Sequence, residues 1–405
     1  MDYKEAIDWL FGTQTFGIKL GLEGPRNLLK ECLAYPKHGV KVAHVAGTNG
    51  KGSTCAMMDR VARACGVRTG LFTSPHLIDY RERMRVSGEM ISEERCAELL
   101  TDVRAVCERL EAHPTFFEIT LAVAMRWFRE RECELIILET GMGGRLDATT
   151  AVPADVCAIT PIGMDHTQWL GDTLGKVAAE KAGIFLKGVP AFSSPQDDEA
   201  RYVLEKEANE RMTPLTFIDE PLGGYGISLP GEHQKWNAAL ALAALHGLGL
   251  RLGYESVAEG LSKVEWPGRF ERIISGGIEV VLDGAHNPHA AKVLRETWLA
   301  EYGEGVGTLV FGAVESKDVS GILEMLRGLT AKLIFCKVGT MRGLPTEELE
   351  KALPEGMEAV CYGNFHEAMA AARESGEPVL VAGSLFLVGE ARAALLGGEF
   401  VASAQ

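Results

Sequence analysis

The chain lacks most of the marks that sort a protein early. Its nine cysteines are scattered, with no C-x-x-C pair and no cysteine–histidine cluster. That pattern offers no disulfide framework and no structural zinc site, and the odd count fits reduced thiols in a cytosol. No apolar run is long enough to span a bilayer; "IILETGMGG" is short and soon interrupted. The start, "MDYKEAIDWLFG", has an acidic residue and no apolar core before a small-residue cleavage site, unlike a secretory signal. The expectation is a cytoplasmic protein without a membrane partner. Basic residues are in deficit, 41 Lys and Arg against 56 Asp and Glu, for a net charge of −15. This argues against a general affinity for nucleic-acid backbones, while leaving room for a local basic pocket. There is no low-complexity tract and no repeat of short period.

What is present is an alternation of apolar runs and helical spacing. The length of 405 residues exceeds one hydrophobic core and suggests two domains. The first series predicts strands at Val42–Ala46, Thr69–Thr73, Leu135–Glu139, Val156–Thr160 and Pro190–Ser193. Helices are predicted at Lys51–Ala64, Glu93–Glu111, Phe117–Arg129 and Leu174–Ile184, with a buried one at His233–Leu250. A second series places strands at Ile278–Leu282, Thr308–Phe311, Lys332–Cys336 and Pro378–Ala382. Strands alternating with helices read as α/β with largely parallel sheets. The turn "WPG" at Trp266–Gly268 marks a boundary between residues 1–265 and 266–405.

The stretch "VKVAHVAGTNGKGST" runs from a strand through a glycine turn into a helix. Glycines at 47, 50 and 52 permit a tight turn, and the helix start favours an anion. Lys51 would reach the β- and γ-phosphates of a nucleotide, with Gly50, Gly52 and Ser53 around it and Ser53 or Thr54 ordering phosphate or Mg²⁺. The match to G-x-x-x-x-G-K-[ST] is imperfect: Val45 stands at the first glycine and Gly52 follows Lys51. The plain alternative is a strand–helix corner with a surface lysine. Glu139 ends the run "ELIILE" at the carboxyl edge of its strand, where open α/β sheets bind ligands. A carboxylate beside a triphosphate needs a cation between them, which makes Glu139 a Mg²⁺-ligand candidate.

The departures from the phosphate-loop pattern are themselves informative. "GTNGKGS" resembles the ATP-binding loop of the Mur-type ATP-dependent amide ligases, and its ending resembles their folate branch. "FTSPHLIDYRERMRVSG", "TFFEITLAVA", "LETGMGGRLDATT", "ITPIGMDHTQWLGDTLGKVAAEKAGIF", "WPGRFE" and "LDGAHNPHA" resemble segments of the same branch, in its order. The "SPHL" segment and the pteroate-side residues are similar to the bifunctional folylpolyglutamate synthase/dihydrofolate synthase type.

The resemblance implies a large N-terminal P-loop-type domain with a mostly parallel sheet, and a smaller Rossmann-like C-terminal domain. It implies ATP, two Mg²⁺ ions, a pteroate or folate acceptor and L-glutamate, in a monomer. Ser74 and His166 join Glu139 as metal ligands on this basis. Lys181 becomes a carbamylated lysine near the second metal. Asn237, Arg269 and Asp283 contact nucleotide, and His286 lies near the transferred phosphate. Phe116, Phe117, Glu118, Leu146, Asp147 and Ala148 border the pteroate. Taken without the resemblance, Phe116 and Phe117 read equally as core, Lys181 as a solvated lysine, Arg269 as half of an ion pair, and His166 and His286 as hydrogen-bonded structural histidines. The alternatives are folylpolyglutamate synthase activity alone, a Mur-type ligase for another amino acid, and a nucleotide switch that hydrolyses ATP without making a bond.

Overall fold

A computed structural model describes residues 1–17, 19, 21–398 and 400. Two sheets organise it. The first contains β1 (Lys41–Ala46), β2 (Thr69–Phe72), β3 (Met84–Val86), β4 (Glu89–Met90), β5 (Leu135–Glu139), β6 (Val156–Ile159), β7 (Ala191–Ser193) and β8 (Leu215–Phe217). Their order is β4-β3-β2-β5-β1-β6-β7-β8. All neighbours are parallel except β2–β3 and β3–β4. The second sheet contains β9 (Glu271–Ser275), β10 (Ile278–Leu282), β11 (Thr308–Phe311), β12 (Lys332–Cys336), β13 (Val360–Tyr362) and β14 (Val379–Ala382). Its order is β13-β12-β11-β14-β10-β9, parallel but for the β9–β10 hairpin.

The central strands are apolar on both faces because helices cover both. In β1, Val42 and Ala46 enter one core cluster while Ala43 and Val45 enter another. β5 alternates the same way, with Ile136 and Leu138 on one side and Leu135 and Ile137 on the other. The buried polar residue inside β1 is His44, on the face of Val42. In the second sheet Leu309 and Phe311 face one cluster and Val310 the other. Leu77, from the loop after β2, packs in the cluster of Val310 and Val388, so the first unit contributes to the core of the second.

Several boundaries differ from the sequence expectation. The helix predicted to run to Glu111 stops at Cys107, and the one predicted from Phe117 begins at Phe116. Thr115 caps the latter in a reciprocal box with Glu118, which adds a residue to its first turn. The segment "ERIIS" just after the WPG turn, not predicted as a strand, is β9, hydrogen-bonded antiparallel to β10.

Register positions the site. Val45 of β1 pairs with Glu139 of β5, and Ala46 with Ile159 of β6. The carboxyl ends of three adjacent strands therefore open beside one another. The chain leaves β1 for β2 beyond β5, whereas β6 lies on the other side of β1. That divergence of connections is where open α/β sheets form a crevice.

Candidate active site

The crevice is a cavity of about 880 Å³ shared by both units. The residues singled out above for metal, nucleotide, pteroate or catalysis line it, except Thr54, which is fully buried behind Ser53 in the phosphate-loop helix. The floor is the turn 47–50 and the helix Lys51–Ala64. This helix has Gly50 at its N-cap, left-handed at φ +87°, and no side chain caps it. Its first N–H groups are left to a ligand, with the positive end of the helix dipole behind them. Lys51 Nζ donates to Thr48 O at 3.3 Å, bending back over the turn.

Each glycine of this loop has a protein neighbour that requires it. A Cβ on Gly47 would lie 1.8 Å from Thr160 Oγ1, one on Gly50 2.7 Å from Asn237 Oδ1, and one on Gly52 2.7 Å from Trp266 Nε1. Beyond the tight turn, close approach of the protein to itself demands these glycines. Trp266 belongs to the segment joining the two sheets, so the start of the phosphate-loop helix and that segment touch.

Glu139 ends β5 and is buried. Its Oε2 accepts a hydrogen bond from Ser74 N at 3.2 Å. Burial raises its carboxyl above the ordinary range, and the Lys51 ammonium works against that rise. A buried carboxylate beside one ammonium, open to a cavity, suits a hard cation. His166 sits in the loop after β6 at φ 51°, its ring half-exposed to the cavity. Among the described residues no group of three or more His, Cys, Asp or Glu side chains could hold a metal by itself. The donors Ser74, Glu139 and His166 fit Mg²⁺ only with water and phosphate oxygens completing its shell, which is that ion's usual habit.

Lys181 is buried, and its Nζ donates to Gly47 O at 2.7 Å. Burial first, then the nearby Lys51 charge, lowers its pKa to about 7. The solvated-lysine alternative does not describe this residue. Asp283 is half-buried, with Oδ2 accepting from Phe270 N and Oδ1 from Ala285 N, both at 2.9 Å. It fastens the turn that presents Arg269 and His286. Asn237 donates to Gln234 at 2.9 Å and sets its Oδ1 against Gly50.

At the other end of the cavity, Phe116 is both wall and core. Its ring lies edge-on to Phe11 at 5.5 Å and to Tyr80 at 6.2 Å. Phe117 is half-buried and stands edge-on to Phe72 at 5.6 Å. The Glu118 carboxylate is held by Thr115 N at 2.6 Å. Leu146 and Ala148 flank Asp147, which accepts from Met142 N at 2.9 Å, from Thr149 N at 3.0 Å and from Thr149 Oγ1 at 2.5 Å. His44 Nε2 meets the same Thr149 hydroxyl at 2.6 Å.

Sequence reasoning missed several residues. Asp165, beside His166, accepts from Lys317 Nζ at 2.6 Å, from Asn287 Nδ2 at 3.3 Å and from its neighbour's N–H at 2.8 Å, and pairs with His286 Nε2 at 3.3 Å. Burial opposes its ionisation, yet the His286 contact and the Lys317 charge hold its carboxyl far below the usual range. Asn49 and Asn287 exchange two 3.1 Å hydrogen bonds, and Asn49 Nδ2 also meets His289 Nδ1 at 2.7 Å. The only sequence signal was adjacency to "DH" and "AHNPH".

Comparisons with known proteins place this architecture. Residues 45–221 match the Mur ligase middle domain, and residues 268–385 match the Mur ligase glutamate ligase domain. The fold and crevice are thus those of the Mur-type ligases. The chain is 32% identical to the dihydrofolate synthase/folylpolyglutamate synthase of Bacillus subtilis, over 96% of this chain and 98% of that one. Escherichia coli FolC, solved in complex with DHPP and ADP, superposes with a TM-score of 0.88 at 29% identity, covering 97% and 98% of the two chains. A bifunctional folylpolyglutamate synthase/dihydrofolate synthase solved with Mn, AMPPNP and L-glutamate gives 0.87 at 31%, covering 96% and 98%. The chain belongs to the dihydrofolate synthase/folylpolyglutamate synthase family.

Proposed function

We propose that the chain is an ATP-dependent ligase that joins L-glutamate to dihydropteroate and to reduced folates, with ADP and phosphate as the other products. The observation that carries this reading is the uncapped, glycine-led helix start facing a cavity shared with Arg269 and His286 of the second unit. We place the division between the units at residues 265 and 266, with a hinge in Glu265–Gly268, and we take the working form to be a cytoplasmic monomer.

A free carboxylate is a poor electrophile, so it is first phosphorylated. Lys51 and the helix N–H groups neutralise and orient the phosphates of ATP, lowering the barrier by positioning. Ser74, Glu139 and His166 would hold the Mg²⁺ ions, two of them, whose charge would offset that building on the phosphoryl group. Arg269 offers its guanidinium to phosphate, and His286 stands near the γ-position. Asn237 and Asp283 line the nucleotide end. Phe116, Phe117, Glu118, Leu146, Asp147 and Ala148 line the pteroate end, where flat rings suit a flat ligand. The glutamate amine then attacks the acyl phosphate, and the tetrahedral intermediate collapses to amide and phosphate. Closure of the units keeps water from the acyl phosphate. Burial favours the neutral Lys181 amine that CO₂ requires, and on this reading the residue would carry a carbamate.

The test is ADP release across acceptors. Dihydropteroate and tetrahydrofolate are assayed in parallel, with and without glutamate. ADP release that needs both acceptor and glutamate supports the reading; release that needs neither makes the chain a plain ATPase. Turnover of tetrahydrofolate alone leaves folylpolyglutamate synthase as its only activity.

A further inference from the structure

Contacts between the units converge on one carboxylate. Asp165 comes from the loop after β6 of the first sheet. Apart from the ring of its neighbour His166 at 4.0 Å, its side-chain partners come from the second unit: His286 and Asn287 after β10, and Lys317 after β11. The Lys317 and Asp165 side chains are each only 11% exposed. A 2.6 Å ion pair so shielded is geometrically demanding, unlike the solvated pairs on the helix surfaces. Its loss would leave a buried charge unpaired in each unit. His286 is gripped at both ring nitrogens, by Gly284 O at 2.7 Å and by Asp165 at 3.3 Å. Asn49 of the phosphate loop adds its amide exchange with Asn287.

We propose that Asp165 is the latch of domain closure: it locks Lys317, Asn287 and His286 of the second unit over the phosphate loop and so positions His286 and seals the cleft. Asp165 acts through these groups and is a positioning residue. This rests on the ligase reading for its consequence, because an unlatched cleft admits water to the acyl phosphate. Hydrolysis then returns the carboxylate and phosphate, and ADP is made without amide.

Lys317→Met keeps the aliphatic stem, removes the charge, and lies in the unit opposite His166. Asp165→Asn is its counterpart, and the double variant closes the cycle. Small-angle X-ray scattering is recorded with and without a non-hydrolysable ATP analogue and Mg²⁺. With nucleotide the wild type is expected to reach the compact form in which Asp165 meets Lys317, and Lys317→Met to stay expanded. In turnover, the ratio of ADP to amide should rise at least threefold in each single variant, and no further in the double. A Lys317→Met chain that compacts as the wild type does overturns the latch, whatever its turnover. So does a double variant whose uncoupling is the product of the two singles. A wild type that compacts with nucleotide but makes no amide from any pteroate acceptor counts against the ligase reading and leaves the latch standing.

Discussion

Thr149→Val probes a three-residue relay beneath the end of the cavity lined by Phe116, Phe117 and Leu146. Thr149 is fully buried and His44 nearly so. The threonine has one hydroxyl hydrogen, and it goes to Asp147 Oδ1 at 2.5 Å. His44 Nε2 must then carry the proton it offers to Thr149 at 2.6 Å, a tautomer assigned from the network. Valine has the shape of threonine without the hydroxyl. It orphans a buried imidazole N–H, at about 2 kcal/mol, and deletes a bond to a carboxylate, at about 2 kcal/mol more. The added methyl returns about 0.8 kcal/mol, for a net loss of about 3 kcal/mol. That lowers the melting temperature of the first unit by roughly 6–12 °C. Urea unfolding measures the free energy. In a His44→Leu background there is no N–H to orphan, so Thr149→Val should cost about 2 kcal/mol less there. Because 146–148 line the cavity, KM for the pteroate acceptor should rise while KM for ATP stays level. Acid adds a second signature. Burial holds the His44 pKa down to about 3, from an ordinary 6.5. Below about pH 6.5 the unfolded chain takes up a proton the folded one refuses, so stability falls with pH at up to about 1.4 kcal/mol per unit. His44→Leu should flatten that slope. A Thr149→Val variant within about 0.5 kcal/mol of wild type, or strict additivity with His44→Leu, would refute the relay.

Three further outcomes are expected. Lys51→Ala should abolish amide formation while leaving far-ultraviolet circular dichroism unchanged; near-normal turnover would remove Lys51 from the phosphate site. Glu139→Gln keeps the shape and the Ser74 contact but loses the charge, so its Mg²⁺ activation curve should shift to higher concentration; an identical titration would take Glu139 out of the metal site. Lys181, with its pKa near 7, should form a carbamate from labelled bicarbonate as pH rises through that value, seen as a carbon-13 resonance missing in Lys181→Ala. Since its folded pKa lies below the unfolded 10.5, the unfolded chain holds the extra proton between those values, and stability should rise with pH across that window.

The sequence alone determined the elements that carry the chemistry. The parallel central strands announced themselves as short apolar runs because both their faces are buried, and Glu139 and Lys51 showed as polar residues at the end of a strand and the start of a helix. Those signals are local, so one pass along the chain reads them. The strands β3, β4, β8, β9 and β13 were not legible, since they lie at or next to the sheet edges, where two to five residues carry too little apolar pattern. Nor was the division of labour among carboxylates. Glu118 is engaged by its own helix start, Asp147 by its own loop and Asp283 across one hairpin to Phe270, 13 positions back, whereas Asp165 reaches partners 122 and 152 positions away. Only the tertiary structure decided that, because hydrogen bonding and desolvation depend on which groups the fold brings within about 3 Å, and sequence spacing does not encode that distance across two domains. The same reason accounts for Gly52, which the local pattern assigned to phosphate and the folded chain also packs beneath Trp266.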